Sequence, residues 1–351
     1  YMLAAPLLGW LADRMSRWVL IGISVLIWSL ATGGSGLAGT FTILLITRCF
    51  VGIGEAGYGP SAPTIISDLY PVSRRGAVLS WFYLAIPVGS AIGYSVGGLI
   101  APHLGWRWAF YIVTPPGLLL GILALLMRDP PRGHADAVVS SRAKITDYLA
   151  LLRNRSYLYD TLGMAAMTFA IGGISYWMPR YLAQVRHQPP SSKVIFGAVV
   201  VVAGFGATLL GGLAGDKLKP RFPGSYFLVS AVGILLACPF TIAMLFLPFP
   251  AAWVAVFFAV FFLFFNTGPS NTILANVTSP SVRATAFAMN ILIIHALGDA
   301  PSPPLLGAIA GKFGWTPTFA VVAGMMALAG VFWLMGIKHL SRDTLAASGS
   351  G

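Results

Sequence analysis

Three stretches of this sequence, Trp18 to Leu37, Ser225 to Leu247 and Trp315 to Ile337, run for twenty residues or more almost without a charge. That is the length an α-helix needs to cross a hydrocarbon layer of about 30 Å. Inside such a layer the backbone has no water to bond, so it must satisfy its own amides and carbonyls, and a helix does so within one segment. The whole chain agrees: of 351 residues, 57% are apolar and 9% charged, against about 25% charged in a soluble domain. The expectation is an all-α, polytopic membrane protein. Cys49 and Cys238 both fall inside apolar stretches and read as small buried hydrophobes, with no disulfide framework and no zinc site.

Breaks at Gly, Pro and charged clusters predict spans near 1–12, 17–37, 40–68, 75–101, 106–127, 157–183, 191–215, 224–247, 250–279, 283–310 and 315–338. The chain opens on Tyr1 inside an apolar run, which reads as the absence of a true N-terminus and of one preceding helix. Assigning loops to alternate sides gathers Arg14, Arg17, Arg74, Arg75, Arg128, Arg132, Arg142, Lys144, Arg153, Arg155, Lys217, Lys219, Arg221, Arg283, Lys338 and Arg342 on one face. The other face receives Arg107, Arg180, Arg186, Lys193 and Lys312, and Arg48 is left inside the membrane. Sixteen against five satisfies the positive-inside rule and makes the richer face cytoplasmic. The formal charge of +12 is therefore an orientation signal, with no nucleic-acid partner implied. Residues 128–155, with Pro130, Pro131 and Gly133, read as one long cytoplasmic linker. The expected organisation is an N-terminal half at 1–127, the linker at 128–155, a C-terminal half at 156–340 and a tail at 341–351 whose Ala346 to Gly351 end is flexible.

The two halves repeat one another. Gly98 to Phe110 matches Gly307 to Phe319 at Gly, Ile, Ala, Gly, Trp and Phe with an offset of 209. Gly9-Trp-Leu-Ala-Asp13-Arg14 aligns with Gly212-Leu-Ala-Gly-Asp216-Lys217 at about 203, and Arg75-Gly76 with Arg283-Ala284 at 208. Ordered matches at nearly one offset mark an internal repeat. Both copies keep the Asp and the basic residue on the same side, so the repeat is parallel, about an axis along the membrane normal, as in alternating-access transporters.

Gly9-Trp-Leu-Ala-Asp-Arg-Met-Ser-Arg17 resembles the signature loop between helices 2 and 3 of the major facilitator superfamily, and Arg48-Cys-Phe-Val-Gly52-Ile-Gly54 resembles its fourth-helix signature. The resemblance covers the chain and implies two six-helix pseudo-symmetric halves, the first helix being missing here. Arg48 through Glu55, Tyr58, Pro60 and Pro63, followed by Asp68-Leu-Tyr-Pro71 and Arg75-Gly76, resembles more narrowly the Spinster group of lipid and sphingolipid transporters. Organic-anion and hexuronate symporters share the Gly-Glu-Ala step. The resemblance implies that the arginine matched by Arg48 takes part in proton coupling, and that the Asp13 and Asp216 loops are conformational latches. Helix 75–101 has glycine spacing like an antiporter signature, with Tyr94 where that signature has Pro.

Glu55 is the sole glutamate of the chain and lies in mid-span, where an ionisable group is expensive and marks function by default. Arg48 precedes it by two turns, about 10 Å on nearly the same face. The pair suits a proton-exchanging carboxylate biased by a cation, or a cation presented to an anionic head group; a buried structural pair is the alternative. Asp13 and Asp216 end their spans at the cytoplasmic face, where Arg14, Arg17, Arg75 and Arg283 complete the candidate latch and a carboxylate meets a neighbouring helix N-terminus. His295 and Asp299 share a face at four residues' spacing. With Tyr58, Tyr83, Phe169, Tyr176, Asn266 and Asn271, they make up the expected substrate cavity beside Arg48 and Glu55. A cavity of aromatics with few charges suits an amphipathic anion better than a sugar. Trp177 beside Arg180 also reads as an interface belt.

These features predict a proton-coupled secondary transporter of a lysolipid or sphingoid phosphate, acting by alternating access. A hexuronate or organic-anion symporter, or a multidrug exporter of the same superfamily, is the alternative. No metal cluster, phosphate-cradling loop or nucleophile with its base is legible, so no enzyme and no cofactor is expected. The partners are a small amphipathic substrate, protons and the bilayer, for a monomer in a bacterial inner membrane or a eukaryotic plasma or organelle membrane, with linker and C-terminus cytoplasmic.

Overall fold

The computed structural model describes residues 1–136, 143–189 and 191–348, and the side chains of all of these except 94–96, 98 and 99. Arg142 of the linker, the Tyr94 side chain and the last three residues of the tail thus lie outside the described residues. Among the described residues every regular element is helical. The helices are α1 (Ala5–Ala12), α2 (Arg17–Gly36), α3 (Phe41–Leu69), α4 (Arg75–Tyr83), α5 (Ala85–Leu104), α6 (Trp106–Leu125), α7 (Ile145–Leu151) and α8 (Arg155–Gln184). They continue as α9 (Ser192–Leu218), α10 (Ser225–Phe246), α11 (Ala251–Phe264), α12 (Thr267–Val277), α13 (Arg283–Ile294), α14 (Ser302–Phe313), α15 (Trp315–Gly336) and α16 (Leu340–Ala347). Nine helical stretches among the described residues are long and apolar enough to cross a membrane.

Local chemistry sets the ends. Ser16 Oγ, Thr40 Oγ1 and Asn154 Oδ1 accept from the amides of Val19, Ile43 and Tyr157, capping α2, α3 and α8. The repeated Gly-Trp step is a turn: Gly105 and Gly314, at φ of 86° and 83°, precede α6 and α15. A side chain at either would be strained in that left-handed region, which is why both copies keep glycine.

The structure divides three of the expected spans. The 75–101 span is α4 and α5, separated at Leu84; the 250–279 span breaks at Phe265 and Asn266; and the 283–310 span contains a π-helical turn at His295–Asp299. The tail is also more ordered than expected, since α16 covers most of it and Asp343 Oδ2 accepts from the Ser156 amide at 2.9 Å. Cys49 is exposed on α3, contrary to its reading as a buried hydrophobe, because no described residue covers its side chain.

Contacts group the chain into two compact units, and these do not follow the sequential halves. The first holds 1–72, 92–151 and 278–292; the second holds 73–91, 152–277 and 293–351. The two transposed segments contain the repeat-related Arg283 and Arg75. In the first unit α2 packs on α3 and α6. Gly54 makes the α2–α3 approach possible: a Cβ there would lie 2.7 Å from both Ser24 O and Trp28 Cβ. In the second, α15 packs on α8 and α10. Gly163 of α8 lies flat under the Trp333 indole, whose Nε1 donates to Asp160 Oδ1 at 3.0 Å in a fully buried contact.

Because Asp160 Oδ2 has no hydrogen-bond partner, Trp333 supplies the carboxyl's sole side-chain donor among the described residues. Trp333→Phe keeps the ring and removes that donor, and is expected to cost about 1–3 kcal/mol, read as a lower Tm in detergent.

Candidate functional site

The repeat-related loops build the same device twice. In the first unit Asp13 caps the C-terminus of α1 and faces the first turn of α13. Its Oδ1 accepts from the Ala284 amide at 3.0 Å, and its Oδ2 accepts from the Thr285 amide at 3.0 Å and from the Thr285 hydroxyl. In the second unit Asp216 of α9 accepts from the amides of Gly76 and Ala77, the latter at 2.7 Å, and from the Tyr226 hydroxyl at 2.6 Å. The first amides of a helix have no partner inside it, and a carboxylate there meets both free donors and the positive end of the helix dipole. Glycine permits each approach. A Cβ on Gly9 would sit 2.4 Å from Ala288 Cβ, and one on Gly212 would sit 1.8 Å from Ser80 Oγ. Gly9 and Gly212, like Ala288 and Ser80, are repeat equivalents.

The arginines that open these helices are paired differently. Arg283 Nη1 donates to Asp68 Oδ1 at 3.1 Å and its Nη2 to Asp136 Oδ2 at 2.8 Å. Arg17 joins the same cluster: Nη1 bonds Asp68 Oδ2, Nε bonds Asp129 Oδ1 at 3.0 Å, and Nη2 bonds Pro130 O at 2.8 Å. Arg17, Asp68 and Arg283 are each at most 2% exposed. The linker supplies further bonds, from the Gly133 amide to Asp68 Oδ1 at 2.9 Å and from Arg132 Nη2 to Ala12 O at 2.7 Å and Met15 O at 2.9 Å. In the second unit Arg75 Nη1 donates to Asn276 Oδ1 at 3.1 Å. Asn276 stands 208 residues after Asp68, so one copy of the pair is ionic and the other has a neutral acceptor.

Asp68, Asn276, Asp129, Arg132 and Asp136 were not among the expected latch residues. The offset of 208 carried a signal for the first two; nothing local marks the linker residues. Arg14 is not in the cluster: its Nη1 donates to Trp10 O at 3.2 Å and to Tyr148 Oη at 2.7 Å, and its guanidinium lies 4.0 Å from the Trp10 ring centroid.

The expected cavity residues separate into two kinds. Glu55 is exposed on α3 and makes no hydrogen bond or ion pair among the described residues. Arg48 donates from Nε to Ser35 Oγ at 3.1 Å and from Nη2 to Thr32 Oγ1 at 3.5 Å, with its guanidinium 5.2 Å from the Phe110 ring centroid. Tyr58 meets Trp28 edge to face at 5.5 Å, Tyr83 meets Phe82 at 5.0 Å, and Tyr176 is exposed. His295 Nδ1 lies 2.9 and 3.0 Å from the two carboxyl oxygens of Asp299, both side chains half-buried, on the π turn. That turn packs closely on α8, where a Cβ on Gly172 would lie 2.7 Å from Asp299 Cβ. Phe169, Asn266 and Asn271, by contrast, are buried in helix packing. Asn266 Nδ2 bonds Leu263 O at 2.7 Å and Asn271 Nδ2 bonds Thr267 O at 2.9 Å around the α11–α12 break, while the buried Asn266 Oδ1 has no hydrogen-bond partner among the described residues.

The chain matches the profile of the Major Facilitator Superfamily over residues 1–300. It is 36% identical to the zebrafish protein spinster homolog 3 over 383 residues, covering 99% of this chain and 77% of that protein. It is also 36% identical to the mouse sphingosine-1-phosphate transporter SPNS2, over 88% of this chain and 60% of that protein. Among solved structures it is similar to a bacterial homolog of the human lysosomal transporter Spinster, inward-facing and unoccupied, with a TM-score of 0.58, 24% identity, and coverage of 98% of this chain and 86% of that one.

Arg283→Met leaves Asp68 and Asp136 without this cation and is expected to destabilise by about 3–5 kcal/mol; Arg75→Met, facing a neutral amide, should cost less. Thermal unfolding of the two variants checks the order. Burial pushes the Asp13 carboxyl up to about 6, against the Thr285 and Ala284 donors and the Arg132 cation, which pull it down. A carboxyl that binds its proton more tightly when clasped gives a contact that is strongest below the ordinary aspartate range and weakens as pH rises through about 6. Amide exchange at Ala284 and Thr285, corrected for its intrinsic pH dependence, should therefore quicken between about pH 4 and 7, and Asp13→Asn should flatten that change.

Proposed function

This chain belongs to the Major Facilitator Superfamily and, within it, to the Spinster group, and from that premise we propose that it carries an amphipathic anionic lipid, such as a lysolipid or sphingoid phosphate, by proton-coupled alternating access. The family consists of transporters and not enzymes, and the chain is an integral membrane protein. The observation that carries the finer reading is Glu55, exposed and without a bonded partner on a membrane-spanning helix, two turns from Arg48. A carboxyl in that position can take and release protons without breaking a hydrogen bond. Arg48, held by the hydroxyls of Ser35 and Thr32 and by the Phe110 face, is oriented to bias that proton or to receive the anionic head.

The mouse relative is by name a transporter of sphingosine-1-phosphate, whose anionic head and long apolar chain fit an arginine flanked by aromatics. Two carboxylate clasps on helix N-termini support a conformational role, since each is made of side-chain to backbone hydrogen bonds that solvation can release without unfolding a helix. The excess of basic loops supports a cytoplasmic linker and C-terminus. The small polar cluster of Arg48, Ser35 and Thr32 also favours a compact hydrophilic anion, which is the hexuronate or organic-anion reading.

Flux into proteoliposomes, with and without a pH gradient, separates the two. The proposal expects a lysolipid or sphingoid phosphate to follow the gradient and a hexuronate not to. Glu55→Gln should cut gradient-driven flux by at least about tenfold while leaving substrate binding measurable. Gradient-driven flux retained in that variant sinks the coupling role, and flux of the hexuronate alone moves the protein to the second reading.

A further inference from the structure

The last turns of α8 line a cleft whose residues, apart from Tyr176, the transport reading does not use. Tyr176, Trp177, Pro179, Arg180 and Gln184 of α8, with Lys193 from the first turn of α9, line an open cavity of about 380 Å³. Its aromatic wall is fixed from behind. Trp177 Nε1 donates to Pro303 O at 2.9 Å, its ring meets Trp315 at 5.7 Å, and Gly307 lies so close that a Cβ there would stand 2.5 Å from the indole. Tyr176 packs edge to face on Trp177 at 4.9 Å and is 63% exposed. The wall is thus rigid, apolar on its face and open to whatever enters.

The charge in the cleft is unbalanced. Arg180 Nε donates to Gln184 Oε1 at 2.7 Å and its guanidinium lies 5.6 Å from the Trp177 centroid, which leaves both Nη groups without an acceptor among the described residues. Lys193 is exposed and makes no ion pair or hydrogen bond among them. From Thr161 to Gly215 the chain has Arg180, Arg186 and Lys193 and not one acidic residue. Arg186 is occupied elsewhere, by the carbonyls of Met244, Leu245 and Leu247. α9 begins beside Lys193 without a side-chain cap, its Ser192 amide bonding Pro189 O at 2.8 Å, and brings its positive dipole end there.

We propose that this cleft binds the head group of an anionic amphiphile, with a phosphate or carboxylate received by the free Nη groups of Arg180 and by Lys193 and the apolar chain laid against Tyr176 and Pro179. A guanidinium fork matches phosphate geometry, and aromatic rings beside cations at a helix end are placed where lipid heads and tails meet. The same chemistry is offered by a resident bilayer lipid and by a transported lysolipid. Occupancy here does not depend on Glu55, Arg48 or proton coupling.

The test uses the full chain in phosphatidylcholine nanodiscs doped with phosphatidic acid, with retained lipids counted by native mass spectrometry. The wild-type chain should retain phosphatidic acid over phosphatidylcholine, and Arg180→Gln with Lys193→Gln should lower that retention about tenfold. Equal retention by both proteins overturns the site. If the double variant does not fold, Lys193→Gln alone, at an exposed position, gives the same comparison. Lysophosphatidate flux then identifies the source. A KM raised several-fold with the maximal rate kept means that the transported amphiphile uses the cleft; an unchanged KM with phosphatidic acid lost means that a bilayer lipid does.

Discussion

A helix begins with amides that nothing within it can satisfy. In this protein two helices begin in buried surroundings, where water cannot make up the deficit, and each is completed by a carboxylate from a distant loop. Asp13 closes the first turn of α13 and Asp216 that of α4. The glycines one turn earlier, Gly9 and Gly212, remove the steric bulk that would hold the carboxylate away. Each compact unit therefore includes a segment taken from the other part of the sequence, 278–292 in one and 73–91 in the other. Capping, close packing and the discontinuous grouping of the chain are one fact seen at three scales.

The copies differ in how they anchor the arginine beside the cap. Asp68 and Arg283 are both charged and nearly solvent-free, with Arg17, Asp129 and Asp136 completing the valences. Charges so enclosed attract strongly but have paid a large desolvation cost, so the cluster is sensitive to the loss of any member. In the second copy Arg75 is just as enclosed, at 1% exposed, but its Asn276 acceptor carries no charge. Duplicated architecture has diverged here into an ionic pairing and a neutral one.

Much of this was legible in the residues. Apolar runs fixed the helical class, and the boundaries of most spans fall within a few residues of their expected places. The repeat identified Asp13, Asp216, Arg75 and Arg283 because a carboxylate needs a fixed offset to meet a fixed turn. What stayed hidden depends on packing at a distance. The break at Phe265 and Asn266 falls one turn before Gly268-Pro269, whose proline has no amide to offer the Phe265 carbonyl, so its signal lies beyond the break itself. The π turn at His295–Asp299 directly precedes Pro301, Pro303 and Pro304, which signal a disturbed helix, while its close approach to Gly172 on α8 is a distant packing fact. Nothing near Asp136 in the chain marks it, since its partner Arg283 lies 147 residues further on.

The linker, finally, is not a spacer. Asp129, Pro130, Arg132, Gly133 and Asp136 all bond within the first unit, so the chain up to residue 136 is stitched to α1, α2 and α3 before it and to α13 after it. Further along, Tyr148 of α7 accepts from Arg14 Nη1 at 2.7 Å, and the first unit runs to residue 151, so the working length of the tether is counted from α7 and not from the end of α6. Severing or lengthening the polypeptide beyond α7 would keep all of these bonds within the earlier fragment except the one from Arg283, whereas an inserted residue between Asp129 and Asp136 would put every later bond out of register. Anyone dividing this protein into two co-expressed fragments should therefore leave the linker through α7 attached to the earlier fragment.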